Sequence, residues 1–140
     1  MQRGLTLPEL LLAIVIACLT MAIALPGIQA FRDRLMVTEE VQRLISAHRR
    51  ARVAAILQSQ PLVLVVSADS LSISTVEGHD VVWAASGPLS RGVDLAGGER
   101  HFVFSPVGIT TGVSNASLTL SRGNATRTIV ISRLGRVRVQ

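Results

Sequence analysis

The sequence predicts an α+β protein: a long N-terminal helix, transmembrane in its first half, packed on a C-terminal antiparallel β-sheet or sandwich domain. Three observations predict it. Leu10 to Ile28 is a run of 19 residues without an acidic or basic side chain. From Phe31 to Ala55 apolar residues recur at helical spacing. From Leu62 to Val139 the chain breaks into short runs rich in β-branched residues, separated by Gly, Pro, Asn and Ser.

The first element follows from length and polarity. Nineteen uncharged residues come close to the ~20 that cross a bilayer as a helix. The run is too long and too poorly flanked for an ordinary secretory signal with a small-residue cleavage site. A helix apolar on every side is also hard to bury in a chain of 140 residues. Pro26-Gly27 is expected to kink or melt the helix locally, because Pro removes a backbone hydrogen bond.

The helix then turns amphipathic. Phe31, Val37, Val41, Leu44, Ile45, His48, Ala51 and Ala55 share one face, while Arg32, Arg34, Glu39, Glu40, Arg43, Arg49 and Arg50 point mainly elsewhere. Gln60-Pro61 ends it, since the residue before Pro is pushed out of helical geometry. A helix from Leu5 to Gln58 runs roughly 80 Å at 1.5 Å per residue.

Strands are predicted at Leu62–Val66, around Leu71, Ile73 and Thr75, at Val81–Trp83, at Phe102–Phe104, around Leu118 and Leu120, at Thr128–Ile131 and at Arg136–Val139. Gly123-Asn124 reads as the turn of a hairpin. Residues 86–99 read as the longest irregular loop.

Charge is unevenly spread. Residues 30–60 carry six Arg and three acids, residues 61–99 one Arg and five acids, and residues 100–140 six Arg and no acid. A basic block without counter-charge suits a polyanionic partner. Catalytic patterns are lacking. His48, His79 and His101 have no metal-ligand spacing, and Cys18 lies in the apolar run. Asp69, Glu77 and Asp80 read as turn residues. No phosphate-cradling Gly-rich loop or nucleophile elbow is visible. The chain is therefore expected to be no enzyme and to need no cofactor or metal.

The run Arg3-Gly4-Leu5-Thr6-Leu7-Pro8-Glu9-Leu10-Leu11 resembles the N-terminus of type IV pilins and type II secretion pseudopilins. The resemblance implies a leader of residues 1–4, cut after Gly4 by a prepilin peptidase that methylates Leu5. It places Glu9 fifth in the mature chain, where the family uses a carboxylate to neutralise a neighbour's N-terminal ammonium during filament assembly. Leu5 replaces the commoner Phe. Pro8 replaces an aliphatic residue and falls in the first turn, where its missing N–H has no helical partner to lose. Four segments follow: leader 1–4, a transmembrane and filament-core half 5–30, an amphipathic half 31–60, and a β-rich domain 61–140.

Phe102-Val103-Phe104-Ser105-Pro106-Val107-Gly108, with Ile131-Ser132-Arg133-Leu134-Gly135-Arg136-Val137-Arg138, resembles the GspH/FimT branch of minor pilins and pseudopilins. Alternation along a strand sends Arg136 and Arg138 to one face, roughly 7 Å apart along the backbone, close to the phosphate spacing of a nucleic-acid strand. Arg forks phosphate oxygens and stays charged. Gly135-Arg136-Val137-Arg138 matches the GRxR pattern of DNA-binding FimT-type pilins of natural transformation. That resemblance covers Gly135, Arg136 and Arg138; Arg133, Arg122 and Arg127 join them on charge alone, with the hairpin arginines expected on the same side. The implied protein is a minor pilin, inserted in the bacterial inner membrane with its globular domain outside the cytoplasm. It then joins a surface pilus with other pilins and binds DNA by phosphate contacts without sequence preference. Two alternatives stand beside it. One is a structural pseudopilin of a type II secretion system with no nucleic-acid role; the other is an adhesion module for acidic polymers.

Overall fold

The computed structural model describes residues 6–77, 80–111, 116–132 and 135–140. One helix, α1 (Leu7–Leu57), precedes nine strands: β1 (Leu62–Val66), β2 (Ser70–Thr75), β3 (Val81–Ser86), β4 (Asp94–Ala96), β5 (Arg100–Phe104), β6 (Thr110–Thr111), β7 (Ala116–Arg122), β8 (Ala125–Ile131) and β9 (Val137–Val139). The chain divides into two compact units between Arg32 and Asp33.

In the first unit, α1 continues as helix through Pro26-Gly27, so the expected local melting does not occur. A single Pro removes one bond from the ladder, and its neighbours carry the helix past it. Leu10, Leu11, Leu12, Ile14, Val15, Ile16, Leu19, Ile23 and Ile28 are all more than half exposed. Among the described residues, α1 is the one helix long and apolar enough to cross a membrane, and no part of its apolar stretch is buried by the protein. A stripe of that size needs an apolar surround.

In the second unit, the C-terminal part of α1 lays Val37, Val41, Leu44, Ile45, Ala47, Ala51 and Ala55 into the core. The helix ends in a Schellman motif. Ser59 takes a left-handed backbone (φ 52°), its N–H donates to the Ile56 carbonyl (3.2 Å) and the Gln60 N–H donates to the Ala55 carbonyl (3.3 Å). Pro61 then bars continuation, as the sequence suggested.

The strands form two antiparallel sheets, ordered β3-β2-β1-β5-β6 and β4-β7-β8-β9. Each faces the core with alternate residues. Leu62, Leu64, Val66, Leu71, Ile73, Phe102 and Phe104 come from the first sheet; Leu118, Leu120, Ile129 and Ile131 come from the second. The predicted strands all appear. Residues 86–99 are more ordered than expected, because a 3₁₀ turn (Pro88–Arg91) and β4 lie within them. β4 pairs with β7, with Leu95 opposite Leu120. Gly87 permits this path: a β-carbon there would lie 2.3 Å from the Ala68 carbonyl oxygen.

Candidate functional site

The basic C-terminal segment is built on the β8–β9 edge of the second sheet. Among the described residues β9 pairs with β8 on one side and has no strand beyond it. Its register sets Ile131 opposite Val137, Val130 opposite Arg138 and Ile129 opposite Val139. Hydrogen bonds extend the pairing past both strand ends. Thr128 and Gln140 exchange N–H to carbonyl bonds of 3.0 and 2.8 Å. At the other end the Ser132 N–H donates to the Arg136 carbonyl (2.9 Å), and the Arg136 N–H donates to Ser132 Oγ (3.1 Å). Gly135 donates to the Ser132 carbonyl (2.8 Å) at φ 73°, a conformation that favours Gly.

Parity along this ladder assigns the faces. Ile129, Ile131 and the partly buried Val137 turn to the core. Val130 and Arg138 therefore turn outward, with Arg136 in phase two residues before. Both arginines are exposed, and among the described residues neither guanidinium has an acid or hydrogen-bond partner. The same outer face carries Ser117, Thr119, Ser121, Thr126 and Thr128 in register across β7 and β8. It is a hydroxyl-rich floor with two arginines at its free edge.

The hairpin arginines do not join them. Leu120 is opposite Arg127 and Arg122 is opposite Ala125, so both arginines have the parity of the core-facing residues. Arg122 is also held: its Nε donates to Asp33 Oδ1 (2.9 Å), and its Nη1 donates to the Arg91 carbonyl. Arg127 instead lines a cavity beside α1. The expectation that Arg122 and Arg127 face the same way as the C-terminal pair is corrected by this register. Arg133 lies outside the described residues.

At the other end of the chain, Gly4 and Leu5 lie outside the described residues. Glu9 stands in the first turn of α1 and accepts bonds from the Thr6 N–H (3.1 Å) and Thr6 Oγ1 (3.0 Å). Thr6 is the N-cap and Glu9 the third helical residue, so this is the reciprocal half of a capping box. The Thr-x-x-Glu spacing was legible in the sequence.

Two polar residues of α1 are buried: His48, which its spacing placed on the apolar face, and Glu40, which was missed. Glu40, expected on a polar face, is fully buried. Arg43 Nη1 (3.4 Å) and, from the 3₁₀ turn, Arg91 Nε (3.9 Å) flank its carboxylate. His48 is buried between Phe104 and Phe102, edge-on to both rings at centroid distances of 5.0 and 6.3 Å. Among the described residues its Nε2 has no hydrogen-bond partner. Burial, then the charges of Arg52 and Arg49, pull its pKa down to about 4. Among the described residues no three His, Cys, Asp or Glu side chains gather as a metal site.

The architecture defines a pilin-like protein: a long helix with an apolar N-terminal stretch, packed further along on antiparallel sheets. The crystal structure of the Pseudomonas aeruginosa (strain PAO1) type IV minor pilin FimU shares this fold, with a TM-score of 0.63 at 16% identity over 76% of this chain and 90% of that one. A second crystal form of FimU gives 0.58 at 15% identity, over 74% and 91%. A search of curated proteins found no match. The family model described as type II transport protein GspH matches residues 40–135. The chain belongs to the GspH family.

Proposed function

We propose that the chain is a minor pilin of a type IV pilus that captures extracellular DNA for uptake, with Arg136 and Arg138 as its principal phosphate contacts. The observation that carries this reading is the unpaired, exposed Arg136–Arg138 edge beside a face of Ser and Thr hydroxyls. Phosphate contacts position a duplex without reading its bases, and hydroxyls join guanidiniums in making them. Gly135 shapes the turn into the pair. Arg122 leaves the contact set because Asp33 neutralises it, and Arg127 leaves it because of its face.

The N-terminal segment supplies anchoring and assembly. Residues 10–28 hold the chain in the inner membrane, with residues 31–140 outside the cytoplasm. A prepilin peptidase removes residues 1–4 and methylates Leu5. In the filament, Glu9 exchanges its contact with Thr6 for the N-terminal ammonium of a neighbouring pilin. An unpaired charge in an apolar core is strongly penalised, which enforces subunit register.

The description of the matching family model favours a second reading, a structural pseudopilin of a type II secretion system. One experiment separates them. Cells carrying Arg136→Gln/Arg138→Gln in place of the native chain are scored for pili, DNA uptake and secretion. The proposal expects normal pili and secretion with DNA uptake lost. Unimpaired uptake, or a secretion defect on deletion of the chain, favours the pseudopilin.

A further inference from the structure

A second cationic site lies beside the β7–β8 hairpin, apart from the Arg136–Arg138 edge. A cavity of about 290 Å³ is lined by Arg34, Val37, Asn124, Ala125, Thr126 and Arg127. Val37 is fully buried and gives it an apolar wall. Two arginines, Arg34 from α1 and Arg127 from β8, line the same space. Among the described residues neither has an acid partner. The acid nearest in sequence, Asp33, is engaged by Arg122 at 2.9 Å, and its other oxygen lies against Gly123, where an added β-carbon would come within 2.5 Å of it.

Two unneutralised charges on one cavity repel each other, and an anion between them relieves the repulsion. The charge count selects the anion. A carboxylate would leave one positive charge over, whereas a phosphate dianion balances both. Planar guanidinium forks match phosphate oxygens, and the Thr126 hydroxyl and Asn124 amide are further donors at the rim. We infer that Arg34 and Arg127 form a binding site for a phosphate dianion, supplied either as free orthophosphate or as the terminal phosphomonoester of a nucleic-acid strand. The site is independent of the DNA contact proposed above, because Arg136 and Arg138 sit on the other face of the sheet.

The test is calorimetric titration of the full chain in nonionic detergent micelles at low salt. Orthophosphate should bind saturably. Arg34→Gln and Arg127→Gln should each weaken it about tenfold, and the pair should abolish it. Arg136→Gln/Arg138→Gln should leave it unchanged. Arg127→Lys, which keeps the charge without the fork, should recover only part of the affinity. Two short oligonucleotides, one ending in a 5′-phosphate and one in a 5′-hydroxyl, separate the sources. Tighter binding of the first marks a strand end as ligand; equal binding marks free phosphate. Absence of saturable phosphate binding by the folded chain overturns the inference. So does full affinity in Arg34→Gln/Arg127→Gln, or acetate binding as tightly as phosphate.

Discussion

Gly135 lies against the imidazole of His48: a β-carbon at position 135 would sit 3.9 Å from His48 Cε1. Gly135, the residue before Arg136, thus packs on a buried histidine whose Nε2 has no partner among the described residues. His48 ties the stability of this edge to pH. Its pKa is about 4 in the folded protein, against about 6.5 when unfolded, so the unfolded chain binds the proton more readily. The stabilisation is complete above pH 6.5 and is lost as pH falls from there to about 4. The full difference is on the order of 3 kcal/mol. In chemical unfolding at stepped pH, His48→Leu should lose the part of the slope between pH 6.5 and 4. An identical slope in both proteins would assign the acid sensitivity to other groups.

The hairpin is pinned to α1 by Arg122 and Asp33. Both side chains are about a quarter exposed, so Arg122→Ala should cost only about 1 kcal/mol. Gly123→Ala should cost more, roughly 1–3 kcal/mol, because it combines φ 53° with a collision at Asp33 Oδ2. Denaturant midpoints should rank them in that order. The reverse ranking would mean that the ion pair dominates.

Glu40 makes a sharper contrast. Removing Arg43 and Arg91 together strands a fully buried carboxylate and should cost about 3–5 kcal/mol. Replacing the acid itself, as Glu40→Leu, removes the buried charge and should cost far less. Thermal unfolding of the two variants tests this; similar losses would show that Glu40 contributes chiefly through its ion pairs.

At the N-terminus, Glu9 accepts both Thr6 bonds and caps its own helix. Glu9→Gln keeps an oxygen that can accept the Thr6 N–H but removes the charge. If neutralising a neighbour's ammonium is its main role, Glu9→Gln should be nearly absent from sheared filaments, although the chain accumulates in the membrane. Normal incorporation would reduce Glu9 to a helix cap.

Much of the fold is legible locally. The end of α1 follows from Pro61, and the long strands follow from short apolar runs or alternation between turn residues. β4 escaped because Asp94-Leu95-Ala96 carries no alternation, and pairing with β7 alone makes it a strand. Glu40 escaped for the same kind of reason: its partner Arg91 comes from the turn at Pro88–Arg91, far away in sequence. The helix runs through Pro26 because loss of one hydrogen bond is a small fraction of a 51-residue ladder. The misplacement of Arg122 and Arg127 was avoidable. Counting by twos from Leu118 and Leu120 reaches Arg122, and counting back from Ile131 and Ile129 reaches Arg127, so both carry core-face parity.

The most direct test of the central claim is duplex DNA binding by the full chain in detergent micelles, measured across a salt series. Each phosphate contact adds about 0.9 to the slope of log K against log salt. The account predicts measurable, sequence-independent binding, and a slope shallower by about 1.8 in Arg136→Gln/Arg138→Gln. Arg122→Gln should leave the slope unchanged, since Asp33 already neutralises that side chain. Equal affinity and slope in the folded Arg136→Gln/Arg138→Gln protein would contradict the account and leave the basic edge as a contact between subunits.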